Sequence, residues 1–179
     1  MLIKQIHHVA YRCNDAAETV AFYRDNLGMA FLAALSEDRV PSTGEADPYM
    51  HLFLDAGNGN ILAFFEIPNS PPMGRDPNTP AWVQHIAFLV ENEEALTKAK
   101  ADLEAKGIEV IGPTNHEILK SIYFFDPNGH RLELTAASGT PEMMGELHSV
   151  ADAMLADWSR TKSTQRHAAW IHEKQFAGN

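Results

Sequence analysis

One short pattern occurs twice in this chain, 77 residues apart: His7-His8-Val9-Ala10-Tyr11 and Gln84-His85-Ile86-Ala87-Phe88. Each copy is rich in β-branched and aromatic residues and is followed by an Asn and acidic residues, so each reads as a strand running into a capped helix. The first helix is expected from about Asp15 to Leu27, with Asn14 as its cap and Gly28 as the left-handed residue that ends it. The second is expected from about Glu93 to Lys106, capped by Asn92 and closed by Gly107, with Leu96, Ala99 and Leu103 as its apolar stripe. The later part of each copy matches as well. Residues 54–64 align with 125–134 when one residue is dropped, and Asn58-Gly59 and Asn128-Gly129 mark tight hairpins. The unit that repeats is therefore βαβββ. A duplicated α+β architecture follows, with a first module over residues 1–68, a linker over 69–79 (NSPPMGRDPNT) and a second module over 80–136.

Beyond Thr135 the repeat stops. Met143, Leu147, Val150, Met154 and Trp158 recur at steps of three or four behind Pro141, which predicts an amphipathic helix in a C-terminal extension over 137–179. A polar stretch, 160–166, separates it from a shorter segment carrying Trp170, Ile171 and Phe176. The whole is read as one compact unit. At 179 residues and 45% hydrophobic content the chain can bury a core without staples. A formal charge of -10 argues against nucleic acid and anionic membrane surfaces as partners. Cys13 is the sole cysteine, which excludes an intrachain disulfide and a thiolate metal cluster. The opening residues are too polar for a secretory signal and no apolar run reaches membrane length, so a cytoplasmic protein is expected.

Duplication also points to a site. Equivalent inward residues of two paired copies converge near their pseudo-twofold axis, and His8 and His85 are such equivalents. The alignment pairs Glu133 with Ala63, so a carboxylate stands in the second copy where the first has a methyl group. A single histidine in a strand is more often a surface or hydrogen-bonded residue than a ligand. Two at equivalent positions, with a carboxylate on a third strand, form a candidate facial triad for one divalent metal. Such a triad leaves coordination positions open for substrate. His7 aligns with Gln84 and should turn away from His8's side.

The segments IHHVAYR, FYRDNLGM, WVQHIAFLV and SIYFFDPNGHRLEL resemble the vicinal oxygen chelate superfamily over about residues 2–136. The resemblance implies two βαβββ modules forming a half-open barrel around a single metal site, with His8, His85 and Glu133 as ligands. That superfamily includes glyoxalases, epimerases, extradiol dioxygenases and fosfomycin-resistance proteins. Against the isomerases, Ala63 stands where a second acidic ligand is expected, and strict alternation turns Glu66 to the other face. Against the fosfomycin-resistance proteins, Ala10 replaces an expected threonine. The extradiol branch uses two histidines and a glutamate for Fe(II) and has a tyrosine ten residues before the glutamate, here Tyr123. His116, seven residues before Tyr123, is the candidate base, since a neutral imidazole can accept a phenolic proton.

Three functions follow as expectations. The first is a non-haem Fe(II) extradiol dioxygenase-like oxygenase acting on a small aromatic or enolisable molecule, with Tyr123 and His116 assisting; Mn, Zn or Ni would also suit the triad. The second is a redox-neutral lyase, isomerase or epimerase. The third is a binding protein that holds a small molecule without chemistry. A homodimer is compatible with any of them. Tyr49, His51, Phe53, Phe64 and Trp82 are candidates to shape the pocket, and Arg75 in the linker to meet a substrate carboxylate.

Overall fold

The computed structural model describes residues 2–173. Both halves of the duplication fold as βαβββ. The first runs β1 (His8–Cys13), α1 (Ala16–Leu27), β2 (Phe31–Glu37), β3 (Tyr49–Asp55) and β4 (Ile61–Glu66). The second runs β5 (His85–Leu89), α2 (Glu93–Ala105), β6 (Ile111–Asn115), β7 (Leu119–Phe125) and β8 (Arg131–Ala137). Their sheets have the same order, β1-β4-β3-β2 and β5-β8-β7-β6, so the repeat seen in the sequence is a repeat of topology. The two histidines that revealed it each open a strand. Ala63 and Glu133 are each the third residue of theirs.

Local chemistry explains the ends of these elements. Asp15, in extended conformation, caps α1 by accepting the Glu18 N–H. This differs from the expectation of Asn14, whose own N–H instead donates to the Asn128 side chain at 2.8 Å. Gly28 ends the helix at φ 68°, as its position suggested. In the second copy Asn92 caps α2 through the Ala95 N–H, and Gly107 follows the helix at φ 79°. Asn58 and Gly59 both take positive φ in the β3–β4 hairpin, whereas at 128–129 only Gly129 does. Asp126 governs that second turn by accepting the N–H groups of Asn128 and His130.

The chain divides into two compact units, residues 1–86 with 125–132, and residues 87–124 with 133–179. In the first, β1 pairs parallel with β4 while β3 pairs antiparallel with both β2 and β4. Helix α1 packs on β3 and β4. Val20 and Tyr23 of α1 are buried, as are Cys13, Leu52, Leu54, Leu62 and Phe64 of the sheet. Each such large apolar side chain contributes about 1.5–3 kcal/mol when removed from water. In the second unit Leu96, Leu103, Ile122 and Phe124 are buried. There β6 and β7 are antiparallel, with a register shift between Ile111 and Thr114. Gly112 lies in it at φ 105°, and a Cβ there would stand 2.6 Å from the Ser121 carbonyl, so this position requires glycine.

The tail forms α3 (Pro141–Thr161), capped by Thr140, and a short α4 (Trp170–Glu173). Of the expected stripe, Met143, Leu147, Val150 and Met154 are half-buried and Trp158 is 48% exposed. Phe176 lies outside the described residues. Among the described residues no helix is long and apolar enough to cross a membrane.

Candidate functional site

Strand register assigns the first sheet's residues to faces. Residues directly paired across strands share a face, and alternation carries that face along each strand. His8 pairs with Ile61, Ala10 with Ala63, Ala63 with Phe53, and Phe65 with His51. One face therefore carries His8, Ala10, Ala63, Phe65, Phe53 and His51. The other carries Tyr11, Cys13, Leu62, Phe64, Leu52 and Leu54 and is the one buried with α1. Glu66 belongs to this second set. Its carboxylate accepts the Ala16 N–H at 2.7 Å, at the start of α1, where the helix dipole favours a negative charge. Glu66 is a helix-terminus residue, as alternation indicated, and is turned away from the Ala63 face.

His8 is exposed at the start of β1. Its Nδ1 lies 2.8 Å from the Nδ1 of His7, with the rings edge to face at 5.1 Å. Alternation had turned His7 away from His8. It does not govern this residue, because β1 begins only at His8. On the same face His51 stacks on Phe65, with ring centroids 3.7 Å apart, and lies 4.1 Å from Phe53 and 6.4 Å from His8. The Nε2 of His51 is buried and has no hydrogen-bond partner. An unsatisfied buried polar atom costs about 1–3 kcal/mol, so this one calls for an explanation. Burial, with His8 beside it, holds the His51 imidazole below its ordinary pKa range.

In the second unit Glu133 is 5% exposed and Tyr123 is 9% exposed. The Tyr123 hydroxyl donates to Glu133 Oε1 at 3.3 Å, and His116 Nε2 lies 2.8 Å from the same hydroxyl. Carboxylate, phenol and imidazole thus form a hydrogen-bonded chain. Neighbouring strands β7 and β8 bring Tyr123 to Glu133. The loop between β6 and β7 supplies His116, which is half-buried.

His85 opens β5, exposed, with Nδ1 3.1 Å from the Val83 carbonyl. It also lines a cleft of about 270 Å³ within the first unit, together with Tyr11, Arg75, Gln84, Phe125 and His130. Arg75 lies over the Phe125 ring at 4.6 Å, a cation–π contact. His130 Nε2 is 2.7 Å from the Arg12 carbonyl, and its ring lies 4.9 Å from Tyr11. Asp126 is nearly buried and accepts from the Tyr23 hydroxyl at 3.0 Å. Burial and that carboxylate push the Tyr23 hydroxyl pKa upward. The DPNGH turn is thereby fastened to α1. Of the aromatics expected to shape a pocket, Tyr49, His51 and Phe53 share the Ala63 face. Phe64 is buried on the opposite one, and Trp82 is 67% exposed before β5.

Sequence reasoning placed His51 only as a pocket-shaping aromatic. The signal for more was available: His51 is two residues from Phe53 on a strand whose pairing sets Phe53 opposite Ala63.

Among the described residues no three or more His, Cys, Asp or Glu side chains lie close enough together to hold a metal ion. The donors themselves nevertheless suit one. Imidazoles and a carboxylate are ligands for first-row divalent ions.

The profile of the Glyoxalase/Bleomycin resistance protein/Dioxygenase superfamily matches residues 5–134. The chain belongs to that superfamily. Protein YwkD of Bacillus subtilis (strain 168) is 32% identical over 137 residues, which are 75% of this chain and 98% of YwkD. The metallothiol transferase FosB of Staphylococcus epidermidis is 30% identical over 139 residues, 76% of this chain and 86% of FosB. A glyoxalase family protein from Enterococcus faecalis has a similar crystal structure, with TM-score 0.55 and 30% identity over 75% of this chain and 99% of its own. The matched span takes in both βαβββ copies and ends before α3. Members of the superfamily use divalent metals and bind small molecules, and enzymes are common among them.

Proposed function

We propose that this chain is a divalent-metal enzyme that binds a small molecule through neighbouring oxygens. His8, His85 and Glu133 are the proposed metal ligands, and Tyr123 with His116 is the proposed proton-handling pair. The hydrogen-bonded chain Glu133–Tyr123–His116 carries this reading. A divalent ion held by such ligands supplies Lewis acidity toward the substrate's oxygens. The protein's own part is the proton. Tyr123 holds its hydroxyl between a carboxylate oxygen and an imidazole nitrogen, so a proton can leave or reach the phenol at Oη without solvent. General acid–base assistance of this kind contributes about 10²–10⁴-fold. The kinship with a metallothiol transferase favours redox-neutral transfer or isomerisation as the reaction class.

A second reading is the ring-cleaving Fe(II) oxygenase. What favours it is Tyr123 itself, ten residues before Glu133 and bonded to it, as the extradiol resemblance implies. Anaerobic purification, identification of the bound metal and oxygen-electrode assays against a catechol panel separate the two. Manganese, zinc or nickel without oxygen consumption supports the first reading, and iron with catechol-dependent consumption supports the second. Small-molecule binding that survives chelation, by a protein that takes up no metal, sinks both and leaves a binding protein.

A further inference from the structure

We propose that His51 is the substrate-contacting residue of the first sheet, its Nε2 hydrogen-bonding an oxygen of the small molecule held beside His8. The inference rests on the metal-enzyme reading above and adds a residue to it. Its basis is the unpartnered, buried Nε2 of His51 on the face that carries His8.

Three features make this nitrogen more than a packing accident. First, the ring is fixed: Phe65 stacks on it at 3.7 Å, tilted by 17°, and Phe53 lies 4.1 Å away. A ring locked in that way holds its nitrogen in one place before any ligand arrives, which is what a positioning contact needs. Second, the register puts small residues on this face between the two imidazoles. Ala10 and Ala63 are paired at its centre and offer only methyl groups, with His8 and His51, 6.4 Å apart between centroids, beside them; Arg12 and Asp55 share this face, but Arg12 donates to the Ser70 and Pro71 carbonyls and Asp55 accepts the Gly57 N–H. Third, Ala63 stands where the second copy has Glu133, so no carboxylate occupies the Ala10–Ala63–Phe53 row of this face, and an imidazole is the oxygen-directed group beside His8. An imidazole can donate to a substrate oxygen or accept from a substrate hydroxyl, which suits a molecule bearing both on adjacent carbons. A substrate oxygen would satisfy the nitrogen that the protein itself leaves unpaired.

The test uses Co(II) as the metal probe and 4-nitrocatechol as the paired-oxygen probe, both followed by absorbance on the full chain. His51→Phe keeps the ring stack and removes the nitrogen, His51→Gln returns an amide near the Nε2 position, and His8→Ala reports loss of a ligand. His51→Phe should bind Co(II) within about threefold of wild type and 4-nitrocatechol about tenfold more weakly, the loss of one net hydrogen bond. His51→Gln should recover most of that loss, which a purely structural residue would not show. Unchanged 4-nitrocatechol affinity in His51→Phe overturns the inference and leaves the metal site standing. Loss of Co(II) equal to that of His8→Ala also overturns it, because His51 would then be a ligand. A wild-type protein that takes up no Co(II) overturns both this inference and the function it rests on. Should His51→Phe fail to fold, failure of His51→Gln to bind 4-nitrocatechol within about threefold of wild type would count against the role, and success would support it.

Discussion

The two sheets share an order of strands and differ in what stands at their matched third positions, residue 63 of β4 and residue 133 of β8. Ala63 has no exposed surface and lies in register between Ala10 and Phe53. Glu133 is nearly as buried, yet it carries a carboxylate that accepts from Tyr123. A buried carboxylate is costly unless hydrogen-bonded, and the first copy reaches the same fold without one. The carboxylate is therefore dispensable to the βαβββ fold, which accords with the ligand role proposed for it. The acid that β4 does carry, Glu66, serves α1 by accepting the Ala16 N–H. Duplication supplied one scaffold twice, and the polar groups then divided: an imidazole face in the first copy, a carboxylate–phenol–imidazole chain in the second.

The most severe test is to erase this difference. Glu133→Ala should reduce Co(II) retained after desalting from stoichiometric to background; unchanged metal content would remove Glu133 from the ligand set. The reverse change, Ala63→Glu, puts a carboxylate into a fully buried site lined by Ala10 and Phe53. It should destabilise the chain by about 3–5 kcal/mol in urea unfolding, the cost of an uncompensated buried charge. Wild-type stability in that variant would mean the first sheet could always have held an acid, and the division argued above would fail.

Next in size is the relay. Tyr123→Phe keeps the ring and deletes the hydroxyl that joins Glu133 to His116. Metal content should be preserved while turnover, on whichever substrate the metal and oxygen assays identify, falls by about 10²–10⁴-fold. Equal loss in metal content and turnover would make Tyr123 a support for Glu133 and remove its proton-handling role.

The parts of this picture that were legible in the sequence are those written locally. The strands that carry His8 and His85, the Asn92 cap, Gly28 at positive φ and the Asn58-Gly59 hairpin all follow from a few neighbouring residues. Tyr123 was singled out through the resemblance, but its contact with Glu133 appears only in the fold, where neighbouring strands β7 and β8 bring the two together. What escaped depends on pairing between strands distant in sequence. Asp15 rather than Asn14 is the cap because its side chain is the one that reaches the Glu18 N–H, while the backbone N–H of Asn14 is tied to Asn128, more than a hundred residues away. His51 became informative only when the register put Phe53 against Ala63. His7 is exposed, but its ring still meets that of His8, because β1 begins only at His8 and alternation does not reach the residue before it.

A smaller effect bears on the first sheet alone. If the lone Nε2 of His51 is kept for a ligand, the metal-free protein bears its cost. His51→Phe should then raise the apo protein's stability by about 1 kcal/mol, read as a higher thermal midpoint. A lower midpoint would show that the imidazole is satisfied in solution.

The smallest effect concerns the matched pair Cys13 and Val90, 77 residues apart, the first closing β1 and the second following β5. Cys13 is 1% exposed, and burial, only partly offset by a hydrogen bond with Thr19, pushes its thiol pKa up to about 11. The folded chain thus keeps a proton that the unfolded chain releases near its ordinary pKa of about 8.5. The associated stabilisation is whole below that value and is lost as pH rises through about 11. Cys13→Val makes the first copy resemble the second and should flatten this alkaline loss, measured as the difference in urea midpoints between the two proteins across that window. A thiol reagent at pH 8 should label the native protein far more slowly than the unfolded one, since the buried thiol is both protonated and covered. Rapid labelling of the native state would mean that β1 opens readily, and the first sheet would then be too loose to hold His51 in a fixed position.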